Sequence, residues 1–153
     1  MTWDATIQKM TFDDLDEVVG MESDCSLVPW SREMFVNEMS RPLIHCFTLR
    51  RNGPSRAELV GFICFRTVED ESELLNLCVH PAYRRMGFAL EMMTFYIHFC
   101  RTMNIRQLFL EVGCSNEAAV HLYESLSYKP VGKRSRFYQG RFDAWIMRRD
   151  VEA

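Results

Sequence analysis

The chain has 153 residues and a mass of 18.0 kDa, which is enough for one domain with a substantial hydrophobic core. Apolar residues make up 48% of it and charged residues 25%, proportions that exclude disordered, collagen-like and low-complexity proteins. The net charge of -3 gives no bias toward nucleic acid or anionic lipid, and no apolar run is long enough to span a membrane. Because residues 1–10 also lack a signal-peptide pattern, we expect a cytoplasmic protein with no direct nucleic-acid or membrane partner.

The first third of the chain predicts one strand and two helices. A strand over residues 5–10 precedes Thr11, a good N-cap residue, and apolar positions at helical spacing then extend to Glu22. A second helix is predicted to begin at Ser31 and to end before Pro42.

Three apolar strands follow. Residues 43–49 and 59–68 flank the turn-forming residues 52–55, which is typical of a β-hairpin. Residues 74–79 are apolar at nearly every position, as in a central strand covered on both faces.

The second half predicts a helix over residues 87–103 with one apolar stripe and a strand over 107–112. Ser115 is a plausible N-cap for a helix that ends at Leu126, and two more strands fit residues 128–134 and 143–148. The order β-α-α-β-β-β-α-β-α-β-β indicates an α/β fold, with one mixed sheet flanked by helices on both faces.

The six cysteines form no C-x-x-C pair and match no zinc or redox spacing. In a cytoplasmic chain of this size, buried free cysteines act as small hydrophobic side chains, and we expect that here rather than metal binding or disulfides. No H-E-x-x-H motif is present, so no metal site is expected.

The segment Arg84-Arg85-Met86-Gly87-Phe88-Ala89 joins an apolar strand to the start of an amphipathic helix. Unpaired N–H groups at a helix start, the positive end of the helix dipole and a glycine together favour a phosphate or pyrophosphate. The alternative is an ordinary turn that contains Gly and Arg. Neither a Walker A loop nor a dinucleotide-binding fingerprint is present.

Two further residues are candidates for chemistry. Glu111 lies in the apolar strand 107–112 near its C-terminal end, where burial would raise its pKa and make it a general base. The alternative is a carboxylate at the sheet edge that reaches water. Tyr123 lies on the apolar face of the following helix, a position that more often serves core packing than catalysis.

Taken together, these residues resemble the GNAT family of N-acetyltransferases, and within it the enzymes that acetylate the N-terminal alanine of a small-subunit ribosomal protein. The resemblance covers most of the chain. It is carried by residues 29–31, 75–81, 84–89, 110–112, 115–119, 122–126 and 143–147.

The resemblance implies a single acetyltransferase domain over residues 1–153 that transfers an acetyl group from acetyl-CoA to a peptide N-terminal α-amine. It makes Glu111 the general base and Tyr123 the general acid, with no metal. It assigns acetyl-CoA binding to the main chain of Leu77, Cys78 and Val79, to the segment Arg85, Met86, Gly87, Phe88, Ala89 and Leu90, and to Asn116.

Three departures from the family pattern limit what the resemblance implies. Ser127 stands where a glycine is usual, at a helix end that favours positive φ. His80 replaces the usual acidic residue, and the segment 137–141 is shorter than the family pattern, which leaves Tyr138 as the candidate for binding the peptide. The alternatives are an acetyltransferase for another peptide or a small amine, and an acetyl-CoA-binding module without activity.

Overall fold

The computed structural model describes the backbone of residues 4–53, 57–138 and 142–152, and the side chains within these ranges except those of 136–138 and 142. Within them the chain forms seven strands and four α-helices, with short 3-10 turns at Phe12–Asp14 and Pro81–Tyr83. In chain order the elements are β1 (Ala5–Lys9), α1 (Leu15–Cys25), α2 (Arg32–Met39), β2 (Ile44–Asn52), β3 (Ala57–Val68), β4 (Glu71–Val79), α3 (Phe88–Thr102), β5 (Gln107–Gly113), α4 (Glu117–Ser125), β6 (Lys129–Tyr138) and β7 (Phe142–Asp150).

The element order confirms the predicted α/β class. The strands form one mixed sheet in the order β1-β2-β3-β4-β5-β7-β6. β4 pairs with β5 in parallel over Glu71–Glu73 and Gln107–Phe109, whereas β5 and β6 both pair with β7 in antiparallel fashion. The predicted hairpin pairs β2 with β3, and its turn residues Pro54 and Ser55 lie outside the described residues.

The chain divides into two compact units. The first comprises the residues up to Arg66 together with Leu75–Phe95, and the second comprises Thr67–Leu74 together with the residues from Tyr96 onward. The core of the first unit is built from side chains of α1, α2, β2, β3 and β4, among them Phe35 and Phe62, whose rings meet edge to face at 5.7 Å. In the second unit the fully buried side chains include Tyr96, Tyr128 and Leu108.

Two local predictions are wrong. Ser115 does not cap α4; the side-chain oxygen of Asn116 accepts a hydrogen bond from the N–H of Ala119 at 3.3 Å, so Asn116 is the N-cap. Met103, placed on the buried stripe of α3, is 51% exposed because that helix ends at Thr102. Ser127 does adopt a positive φ of 70°, as expected from its place after α4.

The prediction that all six cysteines are free is also wrong. Cys25, the last residue of α1, forms a disulfide with Cys78 of β4. Their Cα atoms lie 6.1 Å apart, a separation that a disulfide can span, although 53 positions separate them in the sequence. The other four, Cys46, Cys64, Cys100 and Cys114, are free, and all but Cys114 are buried. Burial raises the pKa of Cys100 to about 11, as expected for a cysteine that serves packing.

Reduction of the Cys25–Cys78 disulfide should lower the free energy of unfolding by about 2–4 kcal/mol, because the bond closes a long loop and restricts the unfolded chain. Urea unfolding with and without dithiothreitol measures the difference. Cys25→Ala should be insensitive to the reductant, whereas Cys114→Ala, which keeps the disulfide, should respond as the wild type does. Equal stability of the wild type under both conditions would contradict the prediction.

No helix within the described ranges is both long and apolar enough to cross a membrane.

Candidate active site

In the first unit, the end of β4 is held close to β3. A Cβ atom on Gly61 would lie 2.5 Å from the carbonyl oxygen of Cys78 and 2.8 Å from Cε of Met92, so only glycine fits there without displacement. The carbonyl oxygen of Val79 accepts a hydrogen bond from Nε of Arg84 at 3.3 Å. The strand that was predicted to pair with a cofactor is therefore fixed by backbone packing, and one of its carbonyls already has a partner.

The loop before α3 is open to solvent. Residues 84–87 are exposed, and both Arg85 and Gly87 have positive φ, of 64° and 85°. A Cβ added to Gly87 would have no atom within 4 Å, so the space over this residue is empty. The carbonyl of Gly87 accepts from the N–H of Glu91 at 3.0 Å, which marks the start of the helix.

This geometry suits an anion. The first N–H groups of a helix have no acceptor within it, and those of α3 begin directly after the exposed Gly87. A loop with alternating positive φ values turns backbone N–H groups toward one side, and the helix dipole adds partial positive charge. The exposed guanidinium groups of Arg84 and Arg85 supply full charges nearby in the chain.

In the second unit, Glu111 lines a cavity of about 270 Å³ at the surface of β4, β5 and β7. Its side chain is only 23% exposed. The other lining residues are two glutamates of β4 and three apolar residues: Glu71, Glu73, Phe109, Leu110 and Ile146. The predicted pairing of Glu111 and Phe109 on one strand face is confirmed, since both side chains are half-buried while their neighbours Leu108 and Leu110 are buried.

Opposing effects act on the pKa of Glu111, and the net result is a raised pKa. Burial raises its pKa and the nearby charge of Glu73 adds to the rise, whereas Arg134 opposes it. The guanidinium of Arg134 approaches Oε1 of Glu111 to 3.0 Å. A half-buried carboxylate with a raised pKa is suited to accept a proton.

Tyr123 is buried on α4, with 7% of its surface exposed, as predicted from its helical position. Its ring meets that of Tyr128 edge to face at 5.8 Å. Tyr128 is also buried, and its hydroxyl has no hydrogen-bond partner within the described part of the chain. Burial raises the pKa of Tyr128 far above its usual value.

Two residues that sequence reasoning missed organise these regions. No sequence pattern singles out Arg134, although it contacts Glu111. Glu22 was read as part of the helical pattern of α1; it is 1% exposed, and its Oε2 accepts hydrogen bonds from the N–H of Trp30 at 3.0 Å and from Nδ2 of Asn76 at 2.8 Å. Burial raises the pKa of Glu22. A glutamate on an apolar helical face was the available signal for such a buried contact.

The remaining predicted site residues lie on β4, near the start of α3, at the start of α4 and on β6. Leu77 and Cys78 lie on β4. Met86 lies in the loop before α3, and Phe88, Ala89 and Leu90 form the start of that helix; Met86 and Leu90 are exposed and Phe88 is buried. Asn116 uses its side-chain oxygen to cap α4. The side chain of Tyr138 lies outside the described residues. Among the described side chains, no group of three or more His, Cys, Asp and Glu could hold a metal ion.

Comparisons with known proteins identify the family. The model of the acetyltransferase (GNAT) family matches residues 15–128. The ribosomal protein bS18-alanine N-acetyltransferase of Escherichia coli (strain K12) is 32% identical over 145 residues, which are 93% of this chain and 95% of that protein. A putative enzyme of the same name from Bacillus subtilis (strain 168) is 28% identical and covers 94% of this chain and 93% of its own.

Solved structures agree. The crystal structure of the ribosomal-protein-S18-alanine N-acetyltransferase from Escherichia coli superposes with a TM-score of 0.88 at 30% identity, covering 97% of this chain and 95% of that one. Arabidopsis thaliana NAA60 in complex with acetyl-CoA shares the fold, with a TM-score of 0.85 at 19% identity over 97% of this chain and 99% of its own. The matched family model spans about three quarters of the sequence, and the chain belongs to the acetyltransferase (GNAT) family.

Proposed function

We propose that the protein transfers an acetyl group from acetyl-CoA to the N-terminal α-amine of alanine in a ribosomal protein, bS18 or its equivalent, in the cytoplasm. The observation that carries the proposal is Glu111, a half-buried carboxylate with a raised pKa in an open cavity, in a chain similar along most of its length to enzymes named for this reaction. The family model includes residues from both units, which supports treating residues 1–153 as one acetyltransferase domain.

The residues of the first unit fit acetyl-CoA. The cofactor carries a pyrophosphate, and the segment Arg85 to Leu90, exposed over residues 85–87, offers N–H groups, positive charge and empty space at Gly87. The main chain of Leu77, Cys78 and Val79 would bind the pantetheine arm, with the carbonyl of Val79 shared with Arg84. Acetyl-CoA supplies the acetyl group as an activated thioester. Asn116 would contact the cofactor beside the thioester while its side chain keeps α4 capped.

Glu111 would act as the general base. An N-terminal α-amine has a pKa of about 7.7–8.0, far below the value of about 10.4 for lysine, so a modest base suffices to remove its proton at neutral pH. The N–H bond of the acceptor ammonium breaks, the proton passes to the Glu111 carboxylate directly or through one water, and the electron pair stays on nitrogen.

Tyr123 would act as the general acid. The leaving sulfur is a thiolate whose conjugate acid has a pKa of about 8.5, and a phenol with a pKa of about 10 can donate a proton to it without a large energetic mismatch. Burial of Tyr123 on α4 keeps its hydroxyl in one place. Tyr138 is the proposed residue for holding the acceptor peptide.

Acetyl transfer to a panel of acceptors tests the proposed substrate. The panel contains a peptide with the N-terminal sequence of bS18, the same peptide with its α-amine blocked, a peptide that offers only a lysine amine, and spermidine. We expect the highest kcat/KM with the free alanine terminus and no transfer when that amine is blocked. Preference for spermidine over every peptide would overturn the proposed acceptor and leave a small-amine acetyltransferase in its place.

A further inference from the structure

Arg134 forms an ion pair with the proposed base. Its Nη2 lies 3.0 Å from Oε1 of Glu111, and the two side chains differ in exposure, 55% for the arginine and 23% for the glutamate. The carboxylate is thus fixed at the cavity wall while the guanidinium stays accessible to water.

The strand order explains how this contact arises. Arg134 lies on β6 and Glu111 on β5, and β7 separates the two strands. On β7, Ile146 pairs with both Glu111 and Gly132, and Arg134 stands two residues further along β6. Since Gly132 has no side chain over Ile146, the long side chain of Arg134 can extend across β7 to the carboxylate.

Residues of three strands surround Glu111, and two of these strands supply charged groups. β4 contributes Glu71 and Glu73, which line the same cavity; β6 contributes Arg134; and β7 contributes the apolar Ile146. Burial of Glu111 and the charge of Glu73 disfavour its ionisation, whereas Arg134 favours it. Among the residues that the structure describes, Arg134 is therefore the cation that acts on both the charge and the orientation of Glu111.

We infer that Arg134 is a positioning residue for catalysis: its guanidinium holds Oε1 of Glu111 and leaves Oε2 to receive the proton of the acceptor amine. This inference rests on the proposed role of Glu111. In the step it describes, an N–H bond of the acceptor ammonium breaks, an O–H bond forms at Oε2, and the electron pair remains on nitrogen. The positive charge of Arg134 holds the carboxylate ionised before the step begins.

Replacement of Arg134 tests the inference through two measurements. One is the pH dependence of kcat, and the other is the titration of the Glu111 carboxyl group followed by 13C NMR. The carboxyl signal of Glu111 is assigned as the one that is missing in Glu111→Gln. In Arg134→Gln, burial and Glu73 act unopposed, so both the titration and the acid limb of kcat should move to higher pH. We expect kcat to fall roughly tenfold from loss of orientation. Arg134→Lys should restore most of the pH profile but less of kcat, because lysine restores the charge without the planar fork.

Lys133→Gln is the matched control. Lys133 is the neighbouring cation on β6, is similarly exposed, and pairs with Asp143 at 3.3 Å. It should change neither the carboxyl titration nor kcat. An unchanged titration in Arg134→Gln, with kcat of Glu111→Gln still strongly lowered, would overturn the role of Arg134 and leave the proposed base intact. Full activity in Glu111→Gln would instead overturn the proposed base.

Discussion

Replacement of Glu111 by glutamine should lower kcat by a factor of about 10² to 10⁴, the usual contribution of a positioned general base. Glutamine keeps the size and hydrogen-bonding reach of the side chain, so the cavity should keep its shape. The glutamine amide cannot take up the proton of the substrate ammonium group, so the ammonium group must lose that proton to water. Because Glu111 is half-buried and paired with Arg134, the variant should also lose the part of the pH profile that reports the carboxyl group.

Steady-state kinetics over a range of pH measures this effect, and calorimetric titration with CoA separates it from cofactor binding. We expect the CoA affinity of Glu111→Gln to match the wild type, since the proposed pyrophosphate contacts lie at Arg85–Leu90. Glu152→Gln, an exposed carboxylate near the end of the chain, is the control for loss of one negative charge. A kcat within threefold of the wild type in Glu111→Gln would contradict the assignment of the base.

Regular sequence patterns predicted where the side chains of Glu111 and Tyr123 lie, whereas their catalytic roles came from the resemblance to the family. Alternation along β5 places Glu111 and Phe109 on one face, and the structure confirms it. Helical spacing along α4 places Tyr123 on the buried face, which is also confirmed. In both cases the side-chain direction depends only on the local period, so no knowledge of the tertiary fold was needed.

The contacts that escaped prediction join residues distant in the sequence. The disulfide forms because the end of α1 lies beside β4, and Arg134 contacts Glu111 because β6 and β5 flank the same strand, β7. Such contacts depend on the tertiary arrangement of the elements and not on the local sequence pattern. The N-cap of α4 was predicted wrongly for a different reason. Ser115 and Asn116 are both good N-cap residues, and the sequence alone does not distinguish between two such neighbours.

Replacement of Tyr123 by phenylalanine should lower kcat by about 10²-fold, at the lower end of the range for a general acid, because the thiolate can also be protonated by water. The ring remains, so the edge-to-face packing against Tyr128 and the burial of α4 should be retained. Steady-state kinetics with acetyl-CoA and the alanine peptide gives the effect on kcat, and thermal unfolding checks that the fold is intact.

Tyr128→Phe is the matched control for this substitution. The two tyrosines are adjacent in space and both are buried. Each substitution removes only the phenolic oxygen of its residue. Because the Tyr128 hydroxyl has no hydrogen-bond partner among the described residues, its removal should leave stability unchanged or higher by up to about 1–3 kcal/mol, the cost of an unsatisfied buried polar group. Activity should also be unchanged. Equal losses of kcat in both variants would show that the phenols act through packing of α4, and would contradict the role of Tyr123 as the acid.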